Sequence, residues 1–333
     1  MHSRGSGLAW REQDSTPFWA PRPSRLQRPV ISIGNIALGG RGKTPLVALV
    51  ARILMAHGER PAILSRGYRR RRPEEGVVVV SDGIAILADV DGSGDEPLML
   101  AECLPGAPVL VSDIRTTAGA LAERVFGATV HVLDDGFQHR ALARDVDVVV
   151  VAPEDLAGRR LPFGRLREVP RALSRADAVI VDASSDDPRP LEVPRSADAR
   201  LFRMRRVIGS PDVVGGASVI LNRSLPVVAV AGIARPERFR VALEADGWRV
   251  GQVMTFRDHH RFTTADCASM VRAARDIGAQ AIFTTAKDAV RLRPLGPLPV
   301  PLAVIPLDVV VEPPDGFRTW LLDRVRGARE SSA

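Results

Sequence analysis

An apolar stretch at residues 29–34 runs into Gly39-Gly40-Arg41-Gly42-Lys43-Thr44, and that run opens an apolar-periodic segment at residues 46–57. Strand, glycine-rich turn and helix in this order constrain the fold more than any other feature of the chain. Glycines let several backbone N–H groups turn toward one point, and the helix N-terminus adds its positive end, so the turn can cradle phosphate. Lys43 is spaced to reach β- and γ-phosphates, and the Thr44 hydroxyl is spaced to ligate magnesium. The first glycine of the eight-residue signature falls on Ala37, so a chance Gly-Lys-Thr is the plain alternative. Gly39, Gly40, Arg41, Gly42, Lys43, Thr44 and Pro45 are the candidate nucleotide-binding residues.

The strand-helix cycle then repeats. Further strands fit at residues 61–65, 109–112, 130–133, 146–151 and 178–182, with helices at 96–104 and 116–126. Val-rich runs at 77–80 and 146–151 read as strands covered on both faces, as in parallel sheets. The alternation predicts an α/β fold: a P-loop NTPase-like, doubly wound, mostly parallel sheet with right-handed crossovers. A polar, Pro-rich stretch at 184–198 interrupts it. A second cycle follows, with strands at 227–231, 248–256, 281–284 and 301–305 and helices at 236–246 and 264–277. At 333 residues, two cores are the better expectation than one. The expected division is an irregular leader at 1–28, a phosphate-loop domain at 29–222, and a smaller α/β domain at 223–333 that closes over the site.

A formal charge of +7 implies an anionic partner: nucleic acid, nucleotide phosphates or an anionic membrane surface. The excess sits on scattered arginines and RNA-binding aromatic motifs are absent, so nucleic acid is not expected. Cys103 and Cys267 are far apart and lack metal-ligand spacing, which points to a reducing compartment without disulfides or structural zinc. No stretch approaches the roughly 18–20 apolar residues needed to cross a bilayer, and the leader lacks the apolar segment of a signal peptide. The chain is expected in the cytoplasm, at most peripheral to a membrane.

Four further segments carry chemistry. Val132-Leu133-Asp134-Asp135-Gly136-Phe137-Gln138-His139 ends an apolar strand in two carboxylates, where open α/β sheets bind ligands and where phosphate-loop proteins hold magnesium. Alone it also reads as a solvated Asp-Gly turn. Gly94-Asp95-Glu96-Pro97 precedes a helix, and on sequence alone Asp95 is best read as its N-cap. Asp258-His259-His260 offers a general base, or a metal ligand without companions at ligand spacing, or a plain surface pair. Arginines cluster at Arg66, Arg69, Arg70, Arg71 and Arg72, and again at Arg165 and Arg167; they clamp phosphates or line solvated loops.

Taken in order, these segments resemble the tetraacyldisaccharide 4′-kinase family. The resemblance spans about residues 29–292. It also draws on Ser65-Arg66-Gly67-Tyr68, Pro162-Phe163-Gly164-Arg165-Leu166-Arg167-Glu168, Ala231-Gly232-Ile233-Ala234 and Thr285-Ala286-Lys287-Asp288-Ala289-Val290. The missing first glycine of the phosphate loop is itself usual in that family. The resemblance implies transfer of the γ-phosphate of ATP to the 4′-hydroxyl of a tetraacylated glucosamine disaccharide 1-phosphate, with Mg2+. It implies that Asp95 and His259 act as a pair taking the hydroxyl proton, with Lys43 and Arg167 steadying the phosphoryl group. Thr44 and Asp135 serve magnesium, supported by Asp134 and Glu168, while Tyr68, Arg69, Gln138 and His139 are expected to bind the acceptor. The implied partners are the acylated lipid and the anionic inner face of the inner membrane, with no obligate protein partner. The family's long apolar, basic N-terminal helix has no counterpart in this Pro-rich leader, where Trp10, Phe18 and Trp19 are the expected interfacial anchors. Two other readings share the phosphate loop: a kinase of a soluble metabolite, and a nucleotide-switch or metallochaperone NTPase. Neither a guanine motif nor a cysteine-based transfer site is present to favour the last.

Overall fold

The computed structural model describes residues 23–68, 70–73, 75–182, 192–214 and 219–331. Trp10, Phe18, Trp19 and Arg69 lie outside the described residues. β1 (Val30–Asn35) is buried along its whole length because helices cover both faces of its sheet. Ile31 and Ile33 pack into one core with Leu46 and Val50 of α1 (Lys43–Ala56). Val30 packs into another with Ala118 and Ala122.

The chain continues through β2 (Pro61–Ser65), β3 (Val78–Ser81), α2 (Val90–Ser93), α3 (Asp95–Cys103), β4 (Val109–Val111), α4 (Arg115–Phe126) and β5 (Val130–Asp134). It then forms β6 (Val146–Val151), α5 (Pro153–Leu156), β7 (Ala178–Asp182) and β8 (Arg200–Ile208). The smaller unit contains β9 (Asp212–Val213), β10 (Pro226–Ala231), α6 (Pro236–Ala245), β11 (Arg249–Thr255), α7 (Thr264–Asp276), β12 (Ala281–Thr285), α8 (Ala286–Leu292) and β13 (Leu302–Ile305). Last come β14 (Leu307–Glu312) and α9 (Pro314–Glu330). The first sheet has the order β14-β8-β7-β6-β1-β5-β2-β4-β3 and the second the order β11-β10-β12-β13-β9. Every inner pairing is parallel; β3, β14 and β9 alone add antiparallel edges.

The α/β class, the doubly wound sheet and a second, smaller α/β unit match the expectation. Its division of the chain does not. β14 pairs antiparallel with β8, Leu307 opposite Ile208, and α9 lays Phe317, Leu321 and Val325 into the core of the first sheet. The last residues therefore belong to the first unit, and the second unit is an insertion between two paired strands. The sequence concealed this because β8, Arg200-Leu201-Phe202-Arg203-Met204-Arg205-Arg206, buries only Phe202 and Met204 on one face. A half-solvated strand carries a weak apolar signal. The crossing lies at Gly209, since β9 already pairs with β13. The Val-rich run at 77–80 is likewise an antiparallel edge strand and not a parallel one. Among the described residues no helix is long and apolar enough to cross a membrane.

Leu321 is fully buried at the α9–sheet contact. Leu321→Ala is expected to cost about 2–5 kcal/mol through lost burial and the cavity left behind. A urea midpoint unchanged from wild type would show that α9 does not contribute to the first unit's core.

Candidate active site

The phosphate loop lies between β1 and α1. Gly39 and Gly42 adopt positive φ values of 107° and 81°, which only glycine takes without strain. Space alone would not demand it: a Cβ on Gly39 would meet the flexible end of Arg165 at 2.8 Å and one on Gly42 the Met204 methyl at 3.1 Å, so the positive φ decides for glycine. The segment 165–168 is laced onto the loop, with Leu38 N–H donating to Arg165 O (2.8 Å) and Arg167 N–H donating to Ile36 O (2.7 Å). Arg41 does not point into the cradle. Its guanidinium is buried against Glu154 and Asp155, so its part in phosphate binding is confined to its backbone.

Lys43 stands at the mouth of the loop and donates to Asn35 Oδ1 (3.0 Å), with Asp135 Oδ1 3.2 Å away. Arg167 donates to the other Asp135 oxygen at 2.7 Å. Burial raises the Asp135 carboxyl, yet Lys43 and Arg167 outweigh it and hold Asp135 below the ordinary carboxylate range. Asp134 has the opposite fate. Burial, then the charges of Glu96 and Asp135, push it up to about 7 against the pull of Lys43 and Arg115. Its Oδ1 is buried without a hydrogen-bond partner. A buried carboxyl oxygen without a partner at the end of β5 suits a hard divalent cation. Among the described residues no three His, Cys, Asp or Glu side chains gather to hold a metal alone. Nucleotide phosphates and water would therefore complete the shell, the usual arrangement for Mg2+.

Both amide hydrogens of Gln138 are engaged, by Asn35 O (2.9 Å) and Glu168 Oε1 (3.0 Å). Glu168 also receives Arg175 at 2.7 Å. His139 is pushed down to about 4 by burial and by Arg115, Arg144 and Arg66, so it is neutral near pH 7. Gly34 completes this side, because its missing Cβ leaves room for Phe137.

Asp95 opens α3, and Gly94 rather than Asp95 is the N-cap. The expected capping role gives way to a hydrogen bond: His259 Nδ1 lies 2.8 Å from Asp95 Oδ2. This contact joins the two units. Burial pushes the Asp95 carboxyl up, but His259, Lys287 and Arg291 together hold it below its usual range. Asp135 and His259 are the only non-glycine residues with positive φ among those described, at 58° and 61°. Such backbone persists when surroundings over-determine it, and it clusters at functional sites. His259 is pinned through its N–H to Gly232 O (3.3 Å), and Arg291 donates to His260 O (3.0 Å) and Gly232 O (3.2 Å). His260 turns away to Asp266, which removes it as a partner for a shared metal. Tyr68 presents its ring edge-on to His259, centroids 6.3 Å apart, beside an open cleft of about 350 Å³ that Arg66 and Arg70 also line.

Comparison with known proteins decides what this arrangement belongs to. Residues 10–326 match the family model for Tetraacyldisaccharide-1-P 4′-kinase. The chain belongs to this family. A Tetraacyldisaccharide 4′-kinase from Syntrophus aciditrophicus is 38% identical over 92% of this chain and 86% of its own length. One from Koribacter versatilis is 40% identical over 81% of each. The crystal structure of LpxK from Aquifex aeolicus in complex with ATP superposes with a TM-score of 0.74 at 29% identity, over 92% of this chain and 90% of its own. Membership removes the metallochaperone and soluble-metabolite readings.

Four site residues were given no role by the motif reading: Asn35 and Lys287, which lie within motif segments, and Arg115 and Arg291, which do not. Lys287 and Arg291 sit in or beside the Thr285-Ala286-Lys287-Asp288 segment that carried the resemblance, but nothing in one dimension connects α8 to α3.

Two outcomes follow from these contacts. In Gly34→Ala the new Cβ would stand 2.4 Å from Phe137 Cβ. It should displace the Asp135 turn and lower turnover at least tenfold at a cost of about 1–3 kcal/mol in stability; wild-type kinetics would refute the packing argument. Because folding depresses the Asp95 carboxyl, its charge stabilises the fold above the unfolded carboxylate range and is lost as pH falls through the folded value. Asp95→Asn should therefore be less stable than wild type at pH 7. The gap should close below about pH 4. Urea midpoints at both pH values check this.

Proposed function

We infer that this chain transfers the γ-phosphate of ATP to the 4′-hydroxyl of tetraacyldisaccharide 1-phosphate, the reaction for which its family is named. The observation that carries the reading is the convergence of two machineries. Lys43 and Asp135 mark the donor side, and the Asp95–His259 hydrogen bond marks the side of an arriving hydroxyl. The acids between them feel one another, since Glu96 adds to the charge at Asp134.

ATP is bound by the backbone of residues 39–45. Lys43 leaves Asp135, whose carboxylate stands in for phosphate oxygens, and takes up the β- and γ-phosphates. The acceptor oxygen attacks the γ-phosphorus as the bond to the β–γ bridging oxygen breaks, so ADP departs. The hydroxyl proton passes to the Asp95–His259 dyad. Lys43 and Arg167 steady the charge on the transferring group. Thr44 and Asp135 would hold Mg2+ with Asp134 in support, and Glu168 orients Gln138 and Arg175 instead of binding metal. When bound, the ion would supply charge neutralisation at the nucleotide phosphates. Tyr68 and the arginine-lined cleft beside it receive the acceptor sugar, with His139 a neutral polar contact nearby. The insertion unit moves against the first to assemble and open the dyad. The protein works in the cytoplasm on the inner face of the inner membrane, drawn there by its charge of +7 and by the acyl chains of its substrate. Neither nucleic acid nor an obligate protein partner is part of this reading.

Transfer of labelled γ-phosphate from Mg-ATP to the purified lipid in detergent micelles tests the assignment. Wild type should yield a bisphosphorylated lipid, and Asp95→Ala and Lys43→Ala should each lose about 10²-fold or more in turnover. ATP hydrolysis without a lipid product would overturn it.

A further inference from the structure

Lys287 lies in the first turn of α8, whose N-terminus is capped by the Thr285 hydroxyl. Its side chain is only 16% exposed and faces Glu96 at 3.1 Å and Asp258 at 3.4 Å. Its Nζ is also 3.2 Å from His259 Nε2. Burial alone would push the ammonium down, but Glu96, Asp95 and Asp258 outweigh it and keep Lys287 charged. An ammonium has three donors and no acceptor, so His259 Nε2 must accept. The Asp95 carboxylate can only accept, so His259 Nδ1 must donate.

We propose that Lys287 is a positioning residue for the dyad, fixing the His259 imidazole with its proton on Nδ1 and its Nε2 accepting from the ammonium. The proposal rests on the dyad reading above. A doubly protonated ring would set an Nε2–H against the ammonium at hydrogen-bond distance, and it could take no proton from the acceptor. Asp95 on α3 faces Nδ1 and Lys287 on α8 faces Nε2, with Asp258 Oδ2 3.7 Å from the same nitrogen. Tyr68 presents its ring edge. Glu96, 3.1 Å from the ammonium, keeps it aimed at Nε2. Removing Lys287 takes the donor away from Nε2.

Long-range 1H–15N spectra of the full chain with labelled histidine test this, with His259 assigned by its loss in His259→Asn. In wild type the ring proton should sit on Nδ1 and the Nε2 resonance should carry the signature of an accepted hydrogen bond. A proton on Nε2 would overturn the proposal without recourse to any variant. In Lys287→Met the Nε2 resonance should move toward that of an unbonded ring nitrogen, and kcat should fall with KM little changed. Lys287→Arg should restore both. If Lys287→Met changes only KM or melting temperature, with the spectrum unchanged, Lys287 is merely a tie to Glu96. Full turnover in His259→Asn would refute the dyad reading itself, whatever the spectra show.

Discussion

Leu307 pairs with Ile208 where the chain leaves and re-enters the first sheet, and the site depends on that pairing. Because the insertion unit hangs from two adjacent strands and not from one linker, its freedom is restricted to motions those strands allow. The phosphate loop, the β5 carboxylates and Asp95 belong to the first unit, while His259, Lys287 and Arg291 belong to the insertion. A single flexible tether would leave the 2.8 Å bond between Asp95 and His259 to chance collision. With β8 and β14 sealed by α9, Asp95 and His259 face each other by construction.

Charge distribution sets the division of labour among the acids. Asp135 is paired with Lys43 and Arg167 and stays ionised, whereas Asp134, buried and crowded by Asp135 and Glu96, is held near neutrality. Two carboxylates in sequence thus differ in protonation by environment alone. The dyad repeats the logic across the unit boundary. Asp95 is buried yet kept ionised by three cationic or hydrogen-bonding groups drawn from the other unit.

Backbone geometry reinforces these charges. Asp135 and His259 both occupy left-handed conformations that cost of order 1–3 kcal/mol each. Each turn is locked by neighbours: Gly136 N–H donates to Ile33 O at 3.1 Å, and Arg291 grips the loop that carries His259. Gly34 and Gly232 make these turns possible by leaving space for Phe137 and for Asp288. The conformational cost at Asp135 and His259 is offset by ordinary packing one layer away.

The sequence by itself determined the phosphate loop, the acids ending β5, the α/β class and most inner strands, because each is a local pattern of strand, turn and helix within a short window. The family motifs also marked Asp95 and His259, though the residues around Asp95 pointed to a helix cap. Only the tertiary structure decided that β14 and α9 return to the first sheet, since pairing between Leu307 and Ile208 follows from which edge is left open. It alone decided that Arg41 turns into the core and that Gln138 is fully bonded. It alone brought Lys287 and Arg291 to a carboxylate nearly two hundred positions away. Such contacts depend on how two separately folded sheets are held against each other, and no periodicity along the chain encodes that placement.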